Sequence, residues 1–345
     1  MDLLIFMEHT NVEDNARPLK GWRLTFLHWY KGDADAVVAA VAKDDHQVDW
    51  VRMLPFAVLH LSCLGVLWVS WSPVAVGVAF VAYWVRMFAI TGFYHRYFSH
   101  RTFKTSRAVQ FLFAVLGNAA VQRGPLWWAG HHRHHHRHSD VASDVHSPTE
   151  HGFWWSHVLW ITSRSNFPTR LYNVRDLARF PELRFLDRFD TIVPILLAVA
   201  MYALGEYCGS RFPESGTSGW QMLVWGFFIS TIVLFHGTCT INSLSHLFGR
   251  RRFATRDHSR NNIWLALITM GEGWHNNHHH YPGAARQGFY WWEFDPTYYL
   301  LKMLSWIGLV RDLRPVPKRV YDQTVSEPSY SGPQTVETVT ESRAK

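Results

Sequence analysis

Residues 271–282 read GEGWHNNHHHYP, and they concentrate more imidazole than a structural role requires. On a helix His275, His278 and His279 stand at i, i+3 and i+4 and so share one face. Histidine is the commonest nitrogen ligand for first-row metals, whereas three packed imidazoles with only structural duties would each need a separate hydrogen-bond partner within a few residues. Metal binding is the simpler chemistry. Residues 130–138, GHHRHHHRH, repeat the pattern HxxHH in two registers, His131/His134/His135 or His132/His135/His136, and spacing alone does not choose between them. An expression tag would sit at a terminus, and this run is internal. His95 and His100 are five apart, about 140° out of phase on an ideal α-helix. Either the helix ends between them or they address two metals. Asn242 and His246, at i and i+4, point the same way. More imidazoles than one ion can hold imply a dinuclear centre, with each HxxHH triplet fanned widely enough to straddle both ions.

The elements that must position these groups are read from composition and hydropathy. The chain has 345 residues and 40.2 kDa, with 16% aromatic and 18% charged residues, a bias suited to membrane-interface belts. A mean hydropathy of −0.11 argues against a chain made mostly of membrane helices. A polar, histidine-rich domain on a few spans satisfies both facts. Net charge is +7 and the pI near 9.4, without the long Lys/Arg stripe of a nucleic-acid binder, so no nucleic-acid partner is expected and anionic lipid headgroups are. Cys63, Cys208 and Cys239 form no zinc ribbon or disulfide framework, and residues 1–7 are too short and too acidic for a signal peptide.

Residues 53–85 contain no Asp, Glu, Lys or Arg and are divided by Ser70-Trp71-Ser72-Pro73, which predicts two spans joined by a tight turn. Arg86, inside the second, reads as a structural anchor within the bundle. Residues 109–121 are apolar but too short to cross. Uncharged runs at 191–205 and 215–249 supply two further spans, and the surplus length of the last should carry His236, Asn242 and His246 out of the membrane. The expected fold is all-α and integral to the membrane: four transmembrane helices, at about 53–71, 74–94, 190–207 and 217–240, capped by a cytoplasmic helical domain (95–189 and 246–310) that holds a histidine-rich dimetal site. A cytoplasmic arm (1–50, with a short amphipathic helix at 33–43) and a polar tail (311–345) flank a functional domain at 51–310. The arginine-rich 101–189 segment places the cap and both termini on the cytoplasmic side, in a bacterial inner membrane or the endoplasmic reticulum.

Taken together, HRYFSH at 95–100, HRHHH at 132–136, NSLSH at 242–246 and GEGWHNNHH at 271–279 resemble the membrane-bound fatty acyl desaturases, over roughly residues 75–310. The resemblance implies the register His132, His135 and His136. It further implies two iron ions held by His95, His100, His132, His135, His136, His246, His275, His278 and His279, with Asn242 reaching a metal through water. His131, His134, His138 and His280 are then outer or surface residues. The implied reaction uses O2 and two electrons to insert a cis double bond, expected at position 9, into a long-chain saturated acyl thioester or acyl lipid. By the same similarity Gln122, Trp128 and Thr238 would hold the acyl chain at its bend.

Tyr83 lies twelve residues before His95, about 18 Å deeper along a helix, at the depth of a closed tunnel end. Arg133 and Arg164 are candidate contacts for an acidic carrier headgroup. No His-Pro-Gly-Gly or CxxC motif is present, so a separate electron donor (a ferredoxin, a flavoprotein or cytochrome b5) is expected. The rival readings are a histidine-box hydroxylase or alkane monooxygenase, which would leave oxygen in its product, and a histidine-rich metal transporter or storage protein, which would place ligands inside the spans.

Overall fold

The computed structural model describes residues 47–324; the expected helix at 33–43 and the polar tail beyond 324 lie outside the described residues. Among the described residues, four helices are long and apolar enough to cross a membrane: Trp50–Val69 (α1), Pro73–Ser99 (α2), Ile192–Arg211 and Gly219–His246. The first begins three residues before the uncharged run, because Asp49 caps it by accepting from Val51 N at 3.0 Å and also pairs with Arg52. Ser72 caps α2 through Ala75 N at 3.0 Å, with Pro73 at the first helical position. At 27 residues α2 is about 40 Å long, more than the ~30 Å hydrocarbon core, so one end must emerge. Residues Ala89–Ser99 of that end wind as a π-helix.

Arg107–Asn118 (α3) turns Val109, Phe113 and Ala114 inward and leaves Phe111 and Leu112 exposed. Phe113 stacks on Phe93 at 3.7 Å. Gly117 is required where α3 meets α2, since a Cβ there would lie 2.2 Å from the Tyr94 ring. Pro125–His138 (α4) carries the second histidine group. Its N-terminus is held by Asp187, at the end of Pro181–Arg188 (α5), which accepts from Trp127 N at 2.7 Å. The third span (α6) and fourth span (α7) form a hairpin, and a Ser218/Gln221 capping box starts α7. Ile263–Ile268 (α8), His275–His280 (α9) and Pro296–Trp306 (α10) complete the site end. A two-residue antiparallel pair, Lys104–Thr105 with Val310–Arg311, ties the chain after α10 back to the α2–α3 connection.

The core is the seam of α2, α3, α4, α5 and α7, filled by Phe93, Phe98, Leu126, Leu183 and Leu234. α1, by contrast, buries none of its residues. Leu54, Val58, Leu61 and Leu67 of α1 and Ile195, Leu196 and Val199 of α6 stay exposed, as lipid-facing surfaces do.

Arg86 is 3% exposed and acts as an anchor. Nη1 donates to Thr231 Oγ1 (2.7 Å) and Ala119 O (3.2 Å), Nη2 to Ser230 Oγ (2.6 Å) and Nε to Ala82 O (2.9 Å), which pins α2 to α7 and to the end of α3. Arg86→Met should therefore leave these acceptors short of donors and cost about 1–3 kcal/mol. A lowered unfolding midpoint in detergent, with turnover retained per folded molecule, is the expected result.

Candidate metal centre

Nine of the histidines converge in two sets. One nitrogen from each of His95, His100, His132, His136 and His278 lies within 4.8 Å of every other, and the same holds for His135, His246, His275 and His279. Helix geometry divides both HxxHH triplets between the sets. On α4 the i, i+4 pair His132/His136 enters the first set and His135 the second, while on α9 the pair His275/His279 enters the second and His278 the first. His278 Nε2 stands 2.9 Å from both His95 Nε2 and His136 Nε2, and His100 Nε2 stands 2.8 Å from His132 Nε2. In the second set His246 Nε2 faces His275 Nε2 at 3.1 Å.

His95 and His100 belong to one set, so the two-metal alternative for this pair does not hold. The α-helical phase argument fails because α2 changes winding. In a π-helix residues five apart lie nearly one above the other, and the helix ends at Ser99 with His100 as its cap.

The orientation of four of these rings is set by carboxylates that none of the histidine motifs contains, apart from Glu272. His135 Nδ1 donates to Asp144 (2.9 Å), His246 Nδ1 to Asp140 (2.7 Å) and His279 Nδ1 to Asp257 (2.5 Å), and His95 Nδ1 lies against Glu272. Each donated Nδ1–H leaves Nε2 as the lone-pair nitrogen, turned toward its set. His279 Nε2 is buried with no hydrogen-bond partner, as a ligand atom would be. Burial, reinforced by neighbouring imidazoles, holds His100, His132, His136, His275 and His278 well below the usual imidazole range, so they are neutral donors. Burial works against the charge on Asp140, Asp144 and Asp257, but the paired imidazoles win and hold all three below the usual carboxylate range. Arg96, fully buried, bonds Glu272 and Asp295 and so fixes the carboxylate behind His95. The donor set fits first-row metals that accept imidazole, iron among them.

His131, His134, His138 and His280 point elsewhere. They bond Pro168 O, Ser143 O, His134 O and Gln323 respectively. His146, close to His135 and Asp144, shares the Asp144 buttress. His236 leaves the site as well: Nε2 meets His60 Nε2 at 2.9 Å and Nδ1 meets His157 Nε2 at 3.0 Å, a ladder that fastens α1 to α7. The surplus of α7 therefore carries Asn242 and His246 toward the metal sets, but not His236. Arg133 is also taken up internally, by Ser99 O, Phe98 O and Asp176, while Arg164 is two-thirds exposed and pairs with Asp49.

Two cavities meet at the sets. A larger one, of about 190 Å³, runs between α1, α4 and α7, and a smaller one of about 40 Å³ lies under His95, His132 and His275. Trp128, His132, Thr238 and Asn242 line both and form the neck. Gln122 lines the larger cavity and donates to Thr238 Oγ1 at 2.9 Å. Tyr83 lines neither. Its hydroxyl donates to Ile268 O at 2.6 Å, one turn below Met87 of the smaller cavity wall. At the outer end Arg52 and Arg123 sandwich the Phe167 ring at 4.0 and 3.9 Å.

A family model described as fatty acid desaturase matches residues 70–304, which carry every one of these histidines. The chain belongs to the fatty acid desaturase family. Among curated relatives of this desaturase, the sn-2 palmitoyl-lipid 9-desaturase of Nostoc sp. (strain 36) is 36% identical over 274 residues, covering 77% of this chain and 90% of its own. The sn-1 stearoyl-lipid 9-desaturase of Anabaena variabilis is 36% identical over 276 residues (79% and 96%), and an acyl-CoA 5-desaturase of Anemone leveillei is 34% identical over 292 residues (81% and 86%). As a member of this family the chain is an oxidoreductase of lipid metabolism.

Proposed function

We propose that this desaturase inserts a cis double bond, at position 9, into a long-chain saturated acyl group carried on a lipid or a thioester, at two iron ions held by the nine histidines. The observation that carries the reading is the neck itself, where two sets of imidazoles, four of them oriented by carboxylates, open onto an apolar cavity through Trp128, Thr238 and Asn242. Supporting it are relatives named as 9-desaturases of acyl lipids. Bound there, the iron pair supplies the redox chemistry with O2. The overall change removes two hydrogens from adjacent methylenes and, with two electrons and two protons from outside, converts O2 to two waters.

The chain's own residues supply position and dryness. Trp128 and Thr238 confine the chain at the neck, Gln122 braces Thr238, and Met87, Ile90 and Ile241 exclude water from the smaller cavity. Asn242 presents its amide beside His132 and His275, placed to hold a metal-bound water. Residues 51–310 form the catalytic unit, with the cap and both termini on the cytoplasmic side of a bacterial inner membrane or the endoplasmic reticulum, as the arginine-rich 101–189 segment favours. The electron donor is a separate protein.

The test is fatty-acid profiling of a desaturase-deficient host that expresses the chain or its His275→Ala variant. A new monounsaturated acid only with the parent chain is expected, and a hydroxylated product would overturn the reading. Tyr83 lines neither cavity but stands one turn below Met87 of the smaller one, so its truncation would open space behind that wall. Tyr83→Ala should shift the product profile toward longer acyl chains, and an unchanged profile removes Tyr83 from that role.

A further inference from the structure

The loop at 249–262 carries five arginines, Arg250, Arg251, Arg252, Arg256 and Arg260, against one acid, Asp257, which is already committed to His279. It folds back on itself through reciprocal Arg250–Asn261 backbone bonds of 2.9 and 2.8 Å. It then rests directly on α9. The backbone N–H groups of Arg252 and Phe253 donate to Asn276 Oδ1 at 2.8 and 2.7 Å, and the Asn261 side chain donates to Asn277 Oδ1 and accepts from Asn277 N. Between this loop and residues 292–293 lies an open cleft of about 550 Å³, walled by Arg250, Arg251 and Arg252 and floored by Trp274, which is 7% exposed. The residue after Trp274 is His275. Glu293, the cleft's carboxylate, is fully buried and bonded to Arg252, Asn277 and Tyr290 N, so the outward field of the cleft is positive. Exposed Lys318 and Arg319 extend that field, brought alongside by the Phe253–Thr324 bridge.

We infer that this cleft is the docking surface for an acidic one-electron carrier protein, whose redox centre is brought to the Trp274 floor, a single residue layer above the histidines of α9. The inference rests on the desaturase reading, because it is that reaction which needs two electrons per turnover. Each docking oxidises one carrier by one electron and reduces the metal pair by one. Two dockings, two protons and the two substrate hydrogens convert one O2 to two waters. A positive rim facing an acidic partner speeds encounter and makes it sensitive to salt, while the buried contacts with α9 keep the surface in register with the metals.

The test uses metal-loaded protein in nanodiscs of zwitterionic lipid, with and without added anionic lipid, and takes a reduced acidic [2Fe–2S] ferredoxin as the probe and dithionite as a small reductant that needs no docking. In Arg250→Glu/Arg256→Glu the second-order rate of ferredoxin oxidation should fall about ten-fold or more at low ionic strength and lose its salt dependence. Reduction by dithionite and metal content should not change, and Arg250→Lys/Arg256→Lys should restore the ferredoxin rate. A ferredoxin rate untouched by charge reversal overturns the inference. So does an equal loss with both reductants, which would make the arginines structural, and so does a rate that follows only the anionic-lipid content of the disc, which would make the cleft a lipid site. Failure of the parent protein, reduced with dithionite, freed of excess reductant and then given O2 and an acyl substrate, to form a double bond in a single turnover would instead count against the desaturase reading itself.

Discussion

His278→Ala should reduce desaturation to background and strip metal from the five-histidine set. His278 is the hub of that set, with its Nε2 within 2.9 Å of ligand nitrogens from both α2 and α4. Its removal leaves His95 and His136 without the ring that brings them together. Loss of even an outer hydrogen-bond partner typically costs ~10–100-fold in metal affinity or activity, so loss of a ligand should exceed ~100-fold. Metal analysis of purified protein beside product profiling checks this, and a variant with full metal content and full product would sink the assignment of the set.

The second large effect concerns a residue that touches no metal. In Asp144→Asn the four-histidine set should bind metal about 10–100-fold more weakly while the five-histidine set keeps its own. Asp144 is completely buried. Oδ2 accepts from His135 Nδ1 at 2.9 Å and from Asp140 N at 3.0 Å, and Oδ1 accepts from His146 N at 3.3 Å. Asparagine offers one oxygen for these three donors and no charge to draw the proton onto His135 Nδ1. With the tautomer released, Nε2 carries the lone pair only part of the time. Competition with a graded chelator separates the two sets, and simultaneous loss of both would indicate collapse of the cap instead.

Much of this site is legible in the chain because helices impose a period. The i, i+3, i+4 spacing of His275, His278 and His279 shows one shared face from residue order alone, and one uncharged run at 53–85, broken at Ser70–Pro73, marks the first two spans. Two kinds of information are not local. The phase of His95 against His100 depends on π-winding in α2, which tertiary packing imposes and no spacing rule reveals. Nor does periodicity point to Asp140, Asp144 or Asp257, since they reach their imidazoles from loops; the positions of Asp140 and Asp144, four and eight residues after His136, become a usable signal only once the histidines are read as ligands. Arg133 is legible as a cation but not as one already spent on Ser99 O, Phe98 O and Asp176.

The carboxylates behind the imidazoles also settle an electrical question. Asp140, Asp144, Asp257 and Glu272 stand buried behind four of the imidazoles, with Arg96 placed between Glu272 and Asp295. Stranded anions in a poorly polarisable interior are costly, so cations bound between the rings would offset that charge as well as serve as reagents. A chelated molecule has to take up protons or let in water at the centre of its cap, which makes metal loading part of how this end of the protein matures.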